Sequence, residues 1–145
     1  MKNNRKQMGD LNESLATEFL MKHGFSIIYR NYRKSFGEID IIAEKHSTIH
    51  FIEVKSVSRE TLSRGIKPED HVTREKINKI SQTAQFFLSE HELYDTRCQI
   101  DLITILSSKE DLDLISSNSN KDNKEALSKL SVSSLIDINY FEKIH

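Results

Sequence analysis

The sequence has few of the residues that stabilise small secreted proteins or membrane spans. Its 145 residues include one cysteine, one proline, four glycines and no tryptophan. A single cysteine, Cys98, excludes an internal disulfide and favours a reducing compartment. No run approaches the roughly 20 apolar residues of a membrane span, and no apolar segment follows the basic start to form a secretory signal. We therefore expect a cytoplasmic protein with no membrane partner.

Cys98 lies among apolar residues that are typical of a strand. A buried, inert thiol is therefore expected there rather than a nucleophile.

The formal net charge of −1 conceals an uneven distribution of charge. Residues 1–80 hold 15 Lys and Arg against 11 Asp and Glu, whereas residues 81–145 hold 6 against 11. A basic front would let the chain approach a polyanion in one orientation. Ordinary scatter of charges explains the same counts equally well, so charge alone does not identify a partner.

Hydrophobic spacing predicts the order of the secondary structure. Leu11, Leu15 and Phe19 follow a helical repeat, and Gly24 is a plausible stop for that helix. Three segments rich in β-branched and aromatic residues come next, separated by two short turns, which predicts an antiparallel meander. A second amphipathic helix begins near Thr73 and precedes a fourth strand, "RCQIDLITIL", which permits a parallel crossover. The predicted order is α-β-β-β-α-β, an α/β fold with one mixed sheet flanked by helices.

Amino-acid composition and the predicted elements divide the chain into four segments. We expect an N-terminal tail at residues 1–8 and a domain at 9–106. Residues 107–126 are rich in Ser, Asn, Asp and Lys, which predicts a flexible low-complexity insertion. Residues 127–145 then form a C-terminal segment, in which "LIDINYF" provides either one more short strand or a tail that docks on the sheet.

A charged pair interrupts the third strand. Side chains alternate along a strand, so Glu53 and Lys55 point to the same side. Asp40 lies in the preceding strand, with Ile39 and Ile41 expected on its opposite face. If the two strands pair across the turn at 45–47, Asp40 comes close to Glu53, and two neighbouring carboxylates raise each other's pKa. Either a divalent cation relieves this repulsion, or the group is a surface ion-pair cluster of little energetic value.

The first helix offers a third carboxylate. Glu13 lies on one border of the apolar arc, where it can lean over the sheet edge, and Glu18 lies on the other border. Helical geometry does not choose between the two, and for either of them an exposed helical glutamate is the simpler interpretation.

Four groups of residues within residues 9–106 form a recognisable pattern. They are Gly9, Glu13 and Ala16 in the helix, the run Arg30-Asn31-Tyr32, the run Gly37-Glu38-Ile39-Asp40, and Glu53-Val54-Lys55. This pattern resembles the YraN family, small bacterial proteins related to archaeal Holliday-junction resolvases and to the PD-(D/E)xK, restriction-endonuclease-like nucleases. The resemblance implies a restriction-endonuclease-like core.

The same resemblance implies the roles of the charged residues. Asp40 and Glu53 would be ligands of Mg²⁺, for which Mn²⁺ would substitute. Lys55 would be the catalytic lysine, and Glu13 would complete the catalytic site as a third metal ligand, supplied by the helix. One departure concerns the position two residues after Lys55, where the family often has arginine and this chain has Val57; it bears on a substrate contact rather than on the metal.

The expected activity is hydrolysis of phosphodiester bonds in DNA, in branched or damaged structures, and junction resolvases suggest a homodimer by analogy. The alternative is a non-catalytic module that binds DNA or a partner with its basic face. Basic side chains expected to hold DNA phosphates are Arg30, Arg33, Lys34, Arg59, Arg64, Arg74 and Lys76.

Other conspicuous residues are interpreted as structural. Tyr29 and Tyr32 are expected to pack against the sheet rather than to stack on DNA. His46 and His50 are too far apart along an extended segment to share a metal. Asp101 is expected to be structural.

Overall fold

A computed structural model of the chain describes residues 2–107 and 137–144. In chain order its elements are α1 (Lys2–Lys22), β1 (Ser26–Lys34), β2 (Gly37–Lys45), β3 (Thr48–Ser58), α2 (Arg59–Ser63), a 3₁₀ turn (Pro68–His71), α3 (Arg74–Glu90), β4 (Arg97–Ser107) and β5 (Asp137–Phe141). The predicted helix and strand order is confirmed, with the short helix α2 and strand β5 added to it.

The five strands form one open sheet in the order β1-β2-β3-β4-β5. Neighbouring strands are antiparallel except for β3 and β4, which are parallel because α3 carries the chain back between them. The meander and the parallel crossover are therefore confirmed. Strand β5 pairs with Leu102–Leu106 of β4, which confirms the strand interpretation of "LIDINYF".

The ends of the two long helices follow the predicted local signals. Gly24 adopts a left-handed φ of 84°. The N–H of Phe25 donates to the Leu20 carbonyl at 3.0 Å, which completes a glycine-type helix end. Thr73 caps α3, because its hydroxyl accepts a hydrogen bond from the N–H of Lys76. The start of α1 differs from expectation: the helix already includes residues 2–8, where a tail was predicted.

Each face of the sheet carries its own hydrophobic core. We call them the α1-side core, in which Leu15 and Leu20 pack on strand residues such as Ile52, and the α3-side core, in which Phe87 packs with Phe51. Each fully buried large side chain contributes about 1.5–3 kcal/mol. Because both faces of the sheet are covered, a buried charge on the central strands requires a specific partner.

Cys98 is exposed, so the prediction of a buried thiol is wrong. Strand β5 covers only Leu102–Leu106, which leaves the first residues of β4 on an open sheet edge. The predicted insertion, from residue 108 onward, and residues 127–136 of the C-terminal segment lie outside the described residues. None of the described helices has the length and apolar character needed to cross a membrane.

Candidate functional site

The site begins where β2 and β3 separate. Their paired register ends at Ile41 and Ile52, and the next carboxylate, that of Asp40, accepts a hydrogen bond from the backbone N–H of Val54 at 2.8 Å. The Asp40 carboxylate thus accepts the N–H of β3 that a backbone carbonyl of β2 would accept in a continuous ladder. It lies at the gap between the two strands. The strand loses its strict alternation here: Ile39 packs in the α3-side core and Ile41 in the α1-side core, so the expectation that both share one face is wrong.

Glu53 is the deepest charged side chain of the site, with only 4% of its surface exposed. Its Oε1 lies 3.8 Å from the Nζ of Lys55 and 3.8 Å from the Nζ of Lys76. Its Oε2 is buried and has no hydrogen-bond partner among the described residues. The first contact agrees with the prediction that Glu53 and Lys55 point the same way. No described group donates to this oxygen while Glu53 is ionised, whereas protonated Glu53 can donate a hydrogen bond to Asp40.

Burial and mutual repulsion oppose ionisation of this pair. Burial, followed by the charge of Asp40, raises the pKa of Glu53 to about 7, against the opposing effect of Lys76 and Lys55. Burial also raises the pKa of Asp40, although the hydrogen bond from Val54 and the charge of Lys76 lower it. Two carboxyl groups therefore compete for the same proton, and the two lysines do not offset the cost of keeping both of them ionised.

Glu13 of α1 lines the same cleft, and geometry now separates it from Glu18. Glu18 is paired with Lys22 at 3.1 Å along the helix surface. Glu13 has a buried Oε2 that finds no hydrogen-bond partner within residues 2–107 and 137–144, and Arg30 Nη2 lies 4.0 Å from that oxygen. Burial and the charge of Asp40 raise the pKa of Glu13, whereas a hydrogen bond from Asn31 lowers it.

Asn31 is a site residue to which the sequence assigned no role. It lies within β1 at a φ of 53°, a left-handed conformation that costs a non-glycine residue about 1 kcal/mol or more. Asparagine tolerates this conformation better than most residues. Its side chain contacts Glu13. The signal available in the sequence was an asparagine within a run that otherwise favours a strand.

A cleft of about 590 Å³ contains the acidic residues and Lys55, a size typical of ligand sites. Its lining residues are Met8, Gly9, Asn12, Glu13, Glu38, Asp40, Glu53, Val54, Lys55, Ser56 and Lys76. Three distant parts of the chain, α1, the β2–β3 fork and α3, thus contribute to one cleft.

The donor set determines which ion could fit. Across residues 2–107 and 137–144, no three His, Cys, Asp or Glu side chains converge into a ready-made cage. The chain offers instead two adjacent carboxylates, the half-buried Asp40 and the buried Glu53, whose Oε2 has no hydrogen-bond partner among the described residues. Mg²⁺ is commonly held by one or two carboxylates and completes its shell with waters and substrate phosphate oxygens, so these residues fit that ion.

The predicted basic residues are divided between several places. Lys76 lines the cleft, and Arg30 contacts Glu13 and the hydroxyl of Ser14. Arg33 and Lys34 line a neighbouring pocket of about 360 Å³. The others lie on or beside helices and are not among the described residues that line the cleft: Arg59, Arg64 and Arg74.

The residues interpreted as structural are mostly placed as expected. Tyr32 is buried and donates a hydrogen bond to Glu90 at 2.6 Å, whereas Tyr29 is largely exposed. Asp101 is fully buried and all of its partners belong to the fold. It accepts hydrogen bonds from the side chains of His50, Gln99 and Tyr140 and from the backbone N–H of Lys143.

Comparison with other protein sequences places the chain in a family. A UPF0102 protein of Campylobacter fetus is 41% identical over 99 residues, which is 67% of this chain and 81% of the relative. A UPF0102 protein of Desulforapulum autotrophicum is 41% identical over 105 residues, covering 72% and 84% of the two chains. One from Desulfosudis oleivorans is 37% identical over 115 residues, covering 79% and 91%. The sequence model described as uncharacterised protein family UPF0102 matches residues 12–105, a span that contains Glu13, Asp40, Glu53 and Lys55, and the chain therefore belongs to that family.

Proposed function

We propose that this protein is a Mg²⁺-dependent endonuclease that hydrolyses phosphodiester bonds in DNA, with Mn²⁺ able to replace Mg²⁺. The observation that carries the proposal is the buried Glu53, which has an unpartnered carboxylate oxygen among the described residues and lies beside the half-buried Asp40 and Lys55. The α-β-β-β-α-β order and a site at the fork of β2 and β3 support a restriction-endonuclease-like core, as the resemblance to YraN proteins implies.

The energetics of the site favour a ligand rather than a structural ion pair. A surface ion pair exchanges water for a partner at little cost, whereas Glu53 is buried and its pKa is raised to about 7. Such an arrangement destabilises the protein alone, because it keeps a buried oxygen without a hydrogen bond. A divalent cation would satisfy that oxygen and remove the repulsion between Asp40 and Glu53.

The proposal assigns a role to five charged residues of the cleft. Asp40 and Glu53 would hold the ion, which when bound would polarise the scissile phosphate and favour ionisation of water. Lys55 Nζ, 3.8 Å from Glu53, would orient the attacking water and stabilise the negative charge that develops on the phosphate. Lys76 of α3 would hold the Glu53 carboxylate in position, and Glu13 would add a carboxylate from α1 to the wall of the cleft.

The proposal includes the DNA substrate, the cellular location and the oligomeric state. Lys76 and the neighbouring Arg33 and Lys34 would hold backbone phosphates without reading bases. A branched or damaged DNA in the cytoplasm is the proposed substrate. For a four-way junction, which has two symmetric cleavage points, the acting form would be a two-fold homodimer.

A cleavage assay tests the proposal. The protein is incubated with nicked, flapped and four-way-junction DNA and Mg²⁺ or Mn²⁺, beside a Lys55→Met variant. Lys22→Met serves as the matched control, since Lys22 is an exposed lysine of α1 paired only with Glu18. We expect Lys55→Met to lose cleavage by about 100-fold or more and Lys22→Met to retain it. No cleavage of any substrate, or equal cleavage by Lys55→Met, would refute the catalytic assignment.

A second candidate function is a non-catalytic module that binds DNA or a partner. The absence of a three-residue ligand cage among the described residues favours it, as does the basic pocket beside the cleft. It predicts DNA binding that neither needs a divalent cation nor changes in Asp40→Asn, together with no cleavage.

A further inference from the structure

We infer that the pocket beside the cleft and the aromatic pair at its rim form a binding surface for an unpaired DNA strand. In this arrangement a backbone phosphate occupies the pocket and a base stacks on Phe36 and Phe86. The position of this strand relative to a scissile phosphate rests on the proposed function, whereas its binding does not.

The pocket is basic and continuous with the cleft. Its volume is about 360 Å³, and it shares Glu38 and Lys76 with the cleft. Four cations line it against one carboxylate, that of Glu38: Arg33, Lys34, Lys76 and Lys79.

The ion pairs of Lys34 and Lys79 are weak competitors for a phosphate. The Nζ of Lys34 lies 3.7 Å from Glu90, and the Nζ of Lys79 lies 3.5 Å from Glu75. Such pairs near the surface are worth about 0–1 kcal/mol, so exchanging a carboxylate for a phosphate is inexpensive. The pocket is therefore chemically suited to a phosphate oxygen.

The rim of this pocket is aromatic. Phe36 and Phe86 are each 41% exposed, and their ring centroids lie 5.4 Å apart. The Nζ of Lys34 lies 5.2 Å from the Phe86 centroid, so a cation and an aromatic surface adjoin. Stacking of a base on an aromatic side chain is worth about 1–3 kcal/mol, and alternating cations and aromatic rings are typical of single-strand binding surfaces.

The fold holds the two rings in place. Phe36 belongs to the β1–β2 turn and Phe86 to α3, and Gly37 lets the turn lie directly on that helix. A Cβ at Gly37 would overlap the hydroxyl of Thr83 and come within 3.2 Å of the Lys79 carbonyl. Thr83 is fully buried, so it cannot move aside. A surface that is ordered before binding loses little entropy when a base stacks on it.

The geometry favours an unpaired strand over a duplex. In a duplex each base is already stacked and paired, so an aromatic side chain can reach a base face only at an end, a flap or a branch. An unpaired nucleotide presents both its phosphate and a free base face. The cleft with Asp40 and Glu53 adjoins this surface through Glu38 and Lys76, which places unpaired DNA next to the proposed reaction site.

Binding measurements without divalent cation test this inference separately from catalysis. A short fluorescent single strand and the same sequence as a blunt duplex are titrated with protein in EDTA, and fluorescence anisotropy gives the Kd of each. We expect the single strand to bind more tightly. The double variant Phe36→Leu/Phe86→Leu should weaken single-strand binding by roughly tenfold and leave duplex binding unchanged. Lys34→Met/Lys79→Met should weaken both and reduce their salt dependence.

Two controls keep the outcomes distinct. Tyr94→Leu removes an exposed aromatic ring from the loop between α3 and β4 and should change neither Kd. All of these titrations are done in EDTA, where metal-dependent cleavage cannot occur, so failure of cleavage and failure of this inference are separate results. Circular dichroism confirms that each variant is folded. Equal binding of duplex and single strand, or a Phe36→Leu/Phe86→Leu variant that binds as wild type does, would overturn the inference.

Discussion

Two buried carboxylates on neighbouring strands have opposite surroundings. Asp101 of β4 is paired in register with Ile52, the residue before Glu53 of β3. Both oxygens of Asp101 accept hydrogen bonds, at 2.6 Å from His50, 2.8 Å from Gln99 and 3.0 Å from the N–H of Lys143. Glu53 has one oxygen near two lysines and another with no hydrogen-bond partner in the described part of the chain.

This difference separates a structural carboxylate from the carboxylate that we propose as a metal ligand. Burial alone does not distinguish them, since Asp101 and Glu53 are both almost fully inaccessible. What differs is whether the protein satisfies the buried oxygens. Asp101 stabilises the fold by tying β4 to the C-terminal strand β5, whereas ionised Glu53 destabilises the metal-free protein and, in the proposed function, would be satisfied by a cation. We call these the satisfied and the unsatisfied carboxylate.

The largest expected effect is on the satisfied carboxylate. Asp101→Ala should lower the free energy of unfolding by about 3–5 kcal/mol, because the buried His50 and the half-buried Tyr140 lose their acceptor. Glu53→Gln should lower it by less than about 1 kcal/mol or should raise it, since a repulsive charge is removed. Urea denaturation in EDTA at neutral pH measures both, and equal destabilisation by the two substitutions would remove the distinction.

The next largest expected effect is a dependence of the free energy of unfolding on pH, caused by ionisation of Glu53. Its pKa in the folded protein is raised from 4.5 to about 7. A carboxyl group with a raised folded pKa contributes stability that is fully present below its unfolded pKa and is lost as pH rises through the folded value. Between about pH 4.5 and 7 the metal-free protein should therefore lose on the order of 2–3 kcal/mol.

Two comparisons isolate that contribution from other titrating groups. The difference between wild type and Glu53→Gln in urea midpoint should grow from pH 5 to pH 8. Adding Mn²⁺ at the higher pH should restore the wild type but not the variant. Parallel pH profiles of the two proteins would contradict the raised pKa of Glu53.

A smaller effect is expected at the hydroxyl of Tyr140, which donates to Asp101. Tyr140→Phe removes this hydrogen bond with little change of shape and should cost about 1 kcal/mol. Because Tyr140 lies in β5, amide hydrogen exchange should accelerate there and stay unchanged in β1. Exchange that accelerates equally in both strands would mean that Asp101 does not specifically hold β5.

The smallest effect on stability is expected at Asn31, whose φ of 53° is left-handed. Asn31→Gly relieves that conformation but loses the contact with Glu13, so stability should change by less than about 1 kcal/mol while DNA cleavage falls. His46→Gly is the matched control, because His46 has a φ of 50° in the β2–β3 turn at the other end of β2. Its cleavage should be unchanged, and an equal loss in both variants would assign the effect to flexibility rather than to Glu13.

The sequence was most informative where local rules decide the structure. Strand periodicity and the short turn at 45–47 correctly predicted the pairing of β2 with β3, and the same-side position of Glu53 and Lys55 followed from strand geometry. Helical geometry could not separate Glu13 from Glu18, because that choice depends on where α1 lies on the sheet.

Features that depend on tertiary contacts were missed or predicted wrongly. Lys76 was predicted to hold DNA phosphates, but its contact with Glu53 was missed because it arises only when α3 packs beside the β2–β3 fork. Exposure of Cys98 depends on how much of β4 is covered by β5, which strand composition does not reveal. The loss of alternation at Asp40 depends on a side chain that takes the place of a ladder partner. The helical start of α1 at Lys2 had no apolar repeat to indicate it.

Calorimetric titration of Mn²⁺ into the metal-free protein tests the unsatisfied carboxylate most directly. At about pH 8, above the pKa of Glu53, we predict a binding heat in wild type that is lost in Asp40→Asn and in Glu53→Gln. The same heat should persist in Glu18→Gln, whose carboxylate lies on the other border of α1 and pairs with Lys22. A wild type that gives no Mn²⁺ heat, or an Asp40→Asn variant that gives the same heat, would contradict the account.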